Sequence, residues 1–175
     1  MHCDDVAQAM ECCRMFSLNF AYYKAGWNED KSPKWTLPEH LFFQLSNFNN
    51  YEQSVLNWCH IFGSRTDNLH WKSTLPEKRH DEFHESIVRV FGSNAQWKIH
   101  WQHMKVLRDQ VIAHVDRVDR YYVPSLDSSF EILKEYHRIL LAANRGCLLP
   151  ANVTIAPQVI FDVQYEKGVN LFDSL

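Results

Sequence analysis

The sequence predicts an all-α helical bundle, and three observations support this class. The chain has 175 residues, of which 46% are hydrophobic and 22% charged, as is typical of one globular domain. Apolar residues recur at spacings of three and four, which is the periodicity of helices that bury one face. No apolar run approaches the ~20 residues of a membrane-spanning helix. We therefore expect about five helices in a domain over residues 1–146, followed by a short extended or β-like arm over residues 147–175.

The first predicted helix spans about residues 3–25 and ends at Gly26, because glycine commonly follows a helix C-terminus. Its core-facing residues are Val6, Ala9, Met10, Cys13, Phe16, Phe20 and Tyr23. A second helix is expected to open at Pro38, a residue favoured in the first helical turn, and to close at Gly63. Its predicted core side consists of Leu41, Leu45, Phe48, Val55, Cys59 and Phe62.

Three more helices are predicted in the rest of the domain. A short one covers about residues 80–91, and Ser93 or Asn94 then caps a longer helix. Asp127 or Ser128 is expected to cap the last helix, after a loop that contains a proline.

The segment 147–175 has a different character. It is rich in β-branched and aromatic residues at 153–155 and 159–165, and Pro150 and Pro157 interrupt it. These features predict two short strands or an extended arm. Two strands alone bury too little surface to be stable, so we expect the arm to pack on the bundle or across a dimer.

Arg108 stands out because it interrupts an apolar stripe on the fourth helix. The stripe comprises Trp97, Trp101, Met104, Val111, Val115 and Val118. A guanidinium stays charged and is costly to bury unpaired, so Arg108 requires an acidic partner, an interface or a polar cleft. In a regular helix His114 would lie about 9 Å further along the axis and about 120° around it.

The pattern Arg108, Asp109 and His114 within a late helix resembles the mark of the HEPN superfamily. Two further stretches, residues 57–64 and 69–72, resemble the abortive-infection (phage-resistance) branch of that superfamily. The likeness covers roughly residues 40 to 120. It implies a helical bundle that forms a homodimer and, in active members, a metal-independent endoribonuclease whose cleft lies between two protomers. Some relatives have lost catalysis and act as binding or regulatory modules.

The chemistry of these residues fits RNA cleavage without a metal. Histidine titrates near neutral pH, so His114 can take a proton from a 2′-hydroxyl. Arg108 can hold the phosphate with its planar fork of donors. Asp109 either orients one of these two groups or is a solvated carboxylate. The structural alternative is that Arg108 forms a buried ion pair with an acid of a neighbouring helix.

The charge of the chain gives RNA binding no global support. The net charge is -3 and the pI is about 6.3, so any attraction for RNA must be local. Lys105, Arg117 and Arg120 lie on or just after the fourth helix and are the candidate RNA-binding residues. These three residues could equally be solvent-exposed charges of a helix surface that does not bind RNA. Likewise Trp97 and Trp101 could stack on bases or belong to the core.

Two other function classes are compatible with the sequence. His80 with His84 and His100 with His103 have helical spacings that could gather imidazoles around a divalent metal. A catalytically inactive HEPN dimer that binds an antitoxin or regulatory protein is the other class. The preferred HEPN chemistry requires no cofactor and no metal.

The cysteines and the N-terminus predict a cytoplasmic protein. The five cysteines are odd in number and include no CxxC pair, which favours reduced thiols over a disulfide framework. The N-terminal residues lack the basic start and apolar middle of a signal peptide. We expect no membrane association.

Overall fold

The computed structural model describes residues 2–35, 40–64, 66–112 and 123–174, with only the backbone described at 110–112. Within these ranges it contains seven α-helices and no strand, which confirms the all-α class. The helices are α1 Cys3–Ala25, α2 Leu41–Phe62, α3 Trp71–Thr74, α4 His80–Phe91, α5 Asn94–Val106, α6 Asp127–Ala143 and α7 Pro157–Phe172. No described helix is both long and apolar enough to cross a membrane.

Helix α1 is the central element of the bundle. It packs mainly against α2 on one side and α7 on the other, and it also contacts α6. The ring of Phe20 joins these elements, with centroids 5.6 Å from Phe130 of α6 and 5.5 Å from Phe161 of α7. Because α1 buries residues around most of its circumference, its packing depends on several neighbours at once.

The other end of the core is an aromatic cluster between α2, α4 and α6. The ring of Phe62 lies 5.9 Å from Phe83 and 5.5 Å from Tyr136, measured between centroids. The hydroxyl of Tyr136 shares a 2.6 Å hydrogen bond with Thr74, which ties the short helix α3 to the core. Because these side chains are fully buried, the end of α2 has a fixed position in the molecule.

The glycines and Ser93 at the helix ends agree with the sequence, whereas the predicted cap of the last helix does not. Gly26 and Gly63 follow α1 and α2, and Gly92 ends α4 with a φ of 77°, a conformation that favours glycine. Ser93 caps α5, since its side chain accepts a hydrogen bond from the backbone N–H of Gln96 at 3.2 Å. Asp127 is the first residue of α6 and does not cap it.

The C-terminal segment is helical, so the prediction of an extended or β-like arm is wrong. Residues Pro157–Phe172 form α7, with proline in its first turn, and only a 3-10 turn, Ala151–Val153, precedes it. The helix buries Ile160 and Gly168, and it packs on α1 and α6. This tertiary contact overrides the β propensity of the segment.

The first half of α2 departs from the prediction in a different way. Leu41, Leu45 and Phe48 were expected on the core side, yet they are 55%, 55% and 46% exposed. Val55 and Cys59, further along the same stripe, are buried. Pro38, the expected start of this helix, lies outside the described residues.

The fourth predicted helix is not regular throughout. The α-helical part, α5, ends at Val106, and Leu107–Ile112 continue it as a π-helix. A π-helix is wider because its hydrogen bonds span five residues. The predicted separation of Arg108 and His114 assumed a regular α-helix, and Leu107–Ile112 do not meet that condition; His114 itself lies outside the described residues.

One pair of cysteines is joined. Cys3 at the start of α1 and Cys147 after α6 form a disulfide, with their Cα atoms 5.7 Å apart. The prediction that all five cysteines are reduced is therefore wrong for this pair. Cys12, Cys13 and Cys59 are free thiols.

Candidate functional site

Arg108 lies in the π-helical turn that follows α5 and is paired with the next residue. Its Nε atom donates a 2.6 Å hydrogen bond to Oδ1 of Asp109, and the same oxygen lies 2.6 Å from one terminal nitrogen, Nη2. The Arg108 side chain is 24% exposed and that of Asp109 is 47% exposed. Arg108 thus has the acidic partner that its partial burial requires, and that partner is its neighbour in sequence.

The guanidinium of Arg108 lies against the end of α2. A Cβ atom placed on Gly63 would be 3.0 Å from Nη1 of Arg108 and 2.5 Å from the carbonyl oxygen of Cys59. Glycine at this position therefore permits the close approach. The carbonyl groups at a helix C-terminus carry a partial negative charge, which favours a cation here.

Two contacts fix α5 to the same end of α2. The indole Nε1 of Trp101 donates a 2.6 Å hydrogen bond to the carbonyl oxygen of Phe62. The thiol of Cys59 contacts the carbonyl oxygen of Met104 at 3.8 Å. Burial raises the pKa of Cys59 to about 12, and nearby Arg108 acts in the opposite direction. The thiol is therefore neutral, and its contribution is packing.

Lys105 supplies a second cation on the same helix. Its Nζ lies 4.8 Å from the centroid of the Trp101 ring, within the range of a cation–π interaction. Trp101 itself is anchored to α2, so the position of Lys105 is defined by the packing of these elements. Of the three predicted RNA-binding residues, this is the one that the structure describes.

The structure brings together part of the predicted site. Arg108, Asp109 and Lys105 lie on α5 and the turn after it, whereas His114, Arg117 and Arg120 lie outside the described residues. The guanidinium of Arg108 is partly exposed, so the described part can offer a phosphate its exposed donors. Such a fixed cation can stabilise negative charge that develops on an oxygen.

The histidine pairs do not converge in the described part of the chain. His100 shares a 2.7 Å hydrogen bond with the hydroxyl of Ser129, whereas His80 and His84 both contact the ring of Trp71. Within the described ranges no three histidine, cysteine, aspartate or glutamate side chains are grouped as metal ligands. The metal-binding alternative therefore has no site among these residues.

Two features of this site were missed from the sequence. Gly63 was identified only as the end of α2, and Trp101 only as a core or stacking residue. The close approach of Arg108 to Gly63 depends on how α5 crosses α2, which helical periodicity does not reveal. The sequence signal that pointed to this site was Arg108, a cation inside an apolar stripe.

Comparison of the chain with protein-family models, with curated proteins and with solved structures gives no match in any of the three. The function is therefore inferred from the residues of the site and from the resemblance of the motif.

Proposed function

We propose that this protein is a metal-independent endoribonuclease of the HEPN type that acts in phage defence or in a toxin–antitoxin system. The observation that carries the proposal is the partly exposed guanidinium of Arg108, held by Asp109 in a π-helical turn. π-Helical turns are frequent at functional sites. The arginine, the acid after it and His114 form the HEPN motif.

The proposed reaction is a transesterification within RNA. His114 takes the proton of a 2′-hydroxyl, and the 2′-oxygen then attacks the adjacent phosphorus. The bond from phosphorus to the 5′-oxygen breaks, and that oxygen takes a proton from the imidazolium of His114 in one of the two protomers. The products are a 2′,3′-cyclic phosphate and a 5′-hydroxyl.

Arg108 stabilises the phosphorane through which this reaction passes. Negative charge accumulates on the non-bridging oxygens, and a preorganised guanidinium fork interacts with them more strongly than with the ground state. Asp109 occupies Nε and one side of Nη2, which fixes the plane of the fork. In this scheme Asp109 is a positioning residue.

The proposal includes the partners that the motif implies. Lys105, Arg117 and Arg120 would contact RNA phosphates, and two copies of the chain would form a homodimer around the cleft. An antitoxin or regulatory protein would restrain the activity in the cytoplasm.

A second candidate function is a catalytically inactive HEPN dimer that serves as a binding module. The observation that favours it is the exposed apolar face of α2, where Phe42 is 72% exposed and Leu41, Leu45 and Phe48 are each about half exposed. Exposed apolar patches commonly mark protein interaction sites. The cleavage assay described next separates the two candidates.

The test is incubation of the pure protein with RNA in EDTA, followed by analysis of the product ends. We expect 2′,3′-cyclic phosphates from the wild type, and a loss of rate of about 100-fold or more in His114→Ala and in Arg108→Ala. Arg145→Ala, in the loop between α6 and α7, removes the same charge elsewhere and should cleave like the wild type.

Circular dichroism of each variant keeps this test interpretable. Equal rates in the wild type and both site variants would refute the assignment of these residues. If Arg108→Ala unfolds the protein, the ion pair with Asp109 is structural, and Arg108→Lys then reports on the phosphate contact because it keeps the charge and loses the fork.

A further inference from the structure

A cleft with an unusual lining opens beside the candidate site. It has a volume of about 360 Å³ and lies between the end of α2, α3, α4 and α5. The side chains that matter for its chemistry are Trp71, Trp97, Trp101, Lys72, Lys98 and His84. Its size is at the lower end of the range of roughly 300–1,000 Å³ seen for small-molecule sites.

The charged side chains that line the cleft are basic. Its lining includes two lysines and no aspartate or glutamate, although the whole chain is acidic with a net charge of -3. Neither Lys72 nor Lys98 forms an ion pair with any residue in the described ranges. A cleft of this charge favours an anionic ligand.

The aromatic side of the cleft is held in place. Trp71 is buried and packs on Phe83 with ring centroids 4.9 Å apart. Trp101 is only partly buried, and its indole N–H is bonded to the carbonyl oxygen of Phe62. Trp97 is also partly buried, and its ring lies 5.0 Å from Phe91. Rigid, partly exposed indoles are suitable surfaces for stacking.

The cleft and the Arg108 site share a residue. Gly63 lines the cleft, and it is also the residue against which the guanidinium of Arg108 lies. Trp101 likewise lines the cleft and carries Lys105 over its ring. The cleft and the Arg108 site are therefore neighbours on the same end of α2.

We propose that this cleft binds an unpaired base of single-stranded RNA, with Trp101 as the stacking surface and Lys72 and Lys98 on the flanking phosphates. Stacking on aromatic residues combined with lysine contacts to the backbone is the usual basis of single-strand binding. The inference rests on the proposed RNA substrate and adds a binding subsite to it. An acidic peptide is the competing ligand, and it requires the lysines without the stacking.

Binding to a labelled single-stranded 2′-O-methyl RNA, followed by fluorescence anisotropy, tests the lysines. This oligonucleotide cannot be cleaved by transesterification, because its 2′-oxygen carries no proton. We expect Lys98→Glu to raise the Kd about tenfold and to reduce the salt dependence by roughly one phosphate contact. Lys78→Glu, on the 3-10 turn Glu77–Arg79, makes the same charge change outside the cleft and should change the Kd less than twofold.

A pair of substitutions at Trp101 tests the stacking. Trp101→Phe and Trp101→Leu both lose the hydrogen bond to Phe62, but only phenylalanine keeps an aromatic face. Stacking on one base contributes about 1–3 kcal/mol, so we expect the leucine variant to bind about 5- to 150-fold more weakly than the phenylalanine variant.

The outcomes separate the cleft from the nuclease. Equal Kd values for Lys98→Glu and Lys78→Glu, equal values for the two Trp101 variants, or displacement of the RNA by a polyglutamate peptide at matched charge concentration would each refute the cleft. Binding that depends on the cleft, in a protein that leaves RNA intact, would refute only the nuclease. If the protein cleaves RNA but the substitutions leave its Kd for RNA unchanged, only the proposed role of the cleft is refuted.

Discussion

At the scale of single residues, helix α5 carries a buried histidine, His100, and Arg108 follows in the π-helical turn after this helix. His100 lies between the rings of Trp58 and Phe91 and faces Ser129 of α6. Burial lowers the pKa of His100 to about 4, and His103 acts in the same direction. His100 is therefore a neutral packing residue at pH 7.

This burial predicts a loss of stability in acid. The unfolded histidine binds a proton near pH 6.5 and the folded one only near pH 4, so the free energy of unfolding should fall as the pH drops between these values. The group accounts for about 3 kcal/mol across the window.

His100→Gln tests this directly, because glutamine can still reach Ser129 but does not titrate. Urea unfolding at pH 7.5 and pH 4.5 should show a pH-dependent loss about 2 to 3 kcal/mol smaller in the variant than in the wild type. His137 shifts in the same direction and is present in both proteins, so it cancels. An unchanged loss would mean that His100 is accessible to protons in the folded state.

The sequence identified Arg108 as an anomaly for a sound physical reason. A charge inside an apolar stripe requires a partner, and the structure supplies Asp109. It could not identify that partner, because a residue and its neighbour point in different directions on a regular α-helix. The ion pair occurs where the backbone is π-helical, and no local propensity predicts that conformation.

At the scale of elements, α7 shows where sequence patterns mislead. Its valines and isoleucines favour strands, yet Pro157 in the first turn is an equally good helix-start signal. What decides the conformation is a face that fits against α1, with Ile160, Gly168 and Phe172 buried. That fit involves residues at opposite ends of the sequence and is not visible in a local window.

Gly168 gives a prediction about this helix pair. A Cβ atom there would lie 2.7 Å from Cβ of Ala25 and 3.1 Å from the ring of Tyr22. In an exposed helix, glycine to alanine is stabilising by about 1 kcal/mol. Here we expect Gly168→Ala to destabilise the protein by about 1 to 3 kcal/mol in urea unfolding, because the added methyl separates α7 from α1.

Gly146→Ala is the matched control, since nothing lies within 4 Å of a Cβ atom at that position. Its free energy of unfolding should stay close to that of the wild type. A stabilised Gly168→Ala would show that α7 can shift on α1 without loss.

At the scale of the whole molecule, the helical class followed mainly from periodicity, because most of the helices bury one face and leave that pattern in the sequence. The disulfide could not be predicted, because the number of cysteines in a sequence does not say which of them lie close together in the fold. Cys3 and Cys147 are 144 residues apart in sequence, and only the packing of α1 against the end of α6 brings them together. The reduced-thiol argument for a cytoplasmic address loses its support from this pair.

The disulfide predicts a large effect of reduction. A cross-link between such distant residues restricts the unfolded chain and is worth about 3 to 5 kcal/mol in the chain-entropy model. Urea unfolding with and without a reductant should differ by that amount in the wild type. Cys3→Ser should match the reduced wild type and show no response to the reductant, whereas identical curves for all samples would mean that the bond does not form in solution.

The packing of α1 between α2 and α7 has a consequence for synthesis of the protein. A ribosome adds roughly 5–20 residues per second, so α1 leaves the exit tunnel several seconds before α7 has been made. During that interval Phe20, whose ring packs on Phe161 of α7, and Ala25, which lies against Gly168, lack part of the surface that buries them. The nascent chain should therefore bind chaperones through its first helix, and its folding should be completed only after the last helix has emerged.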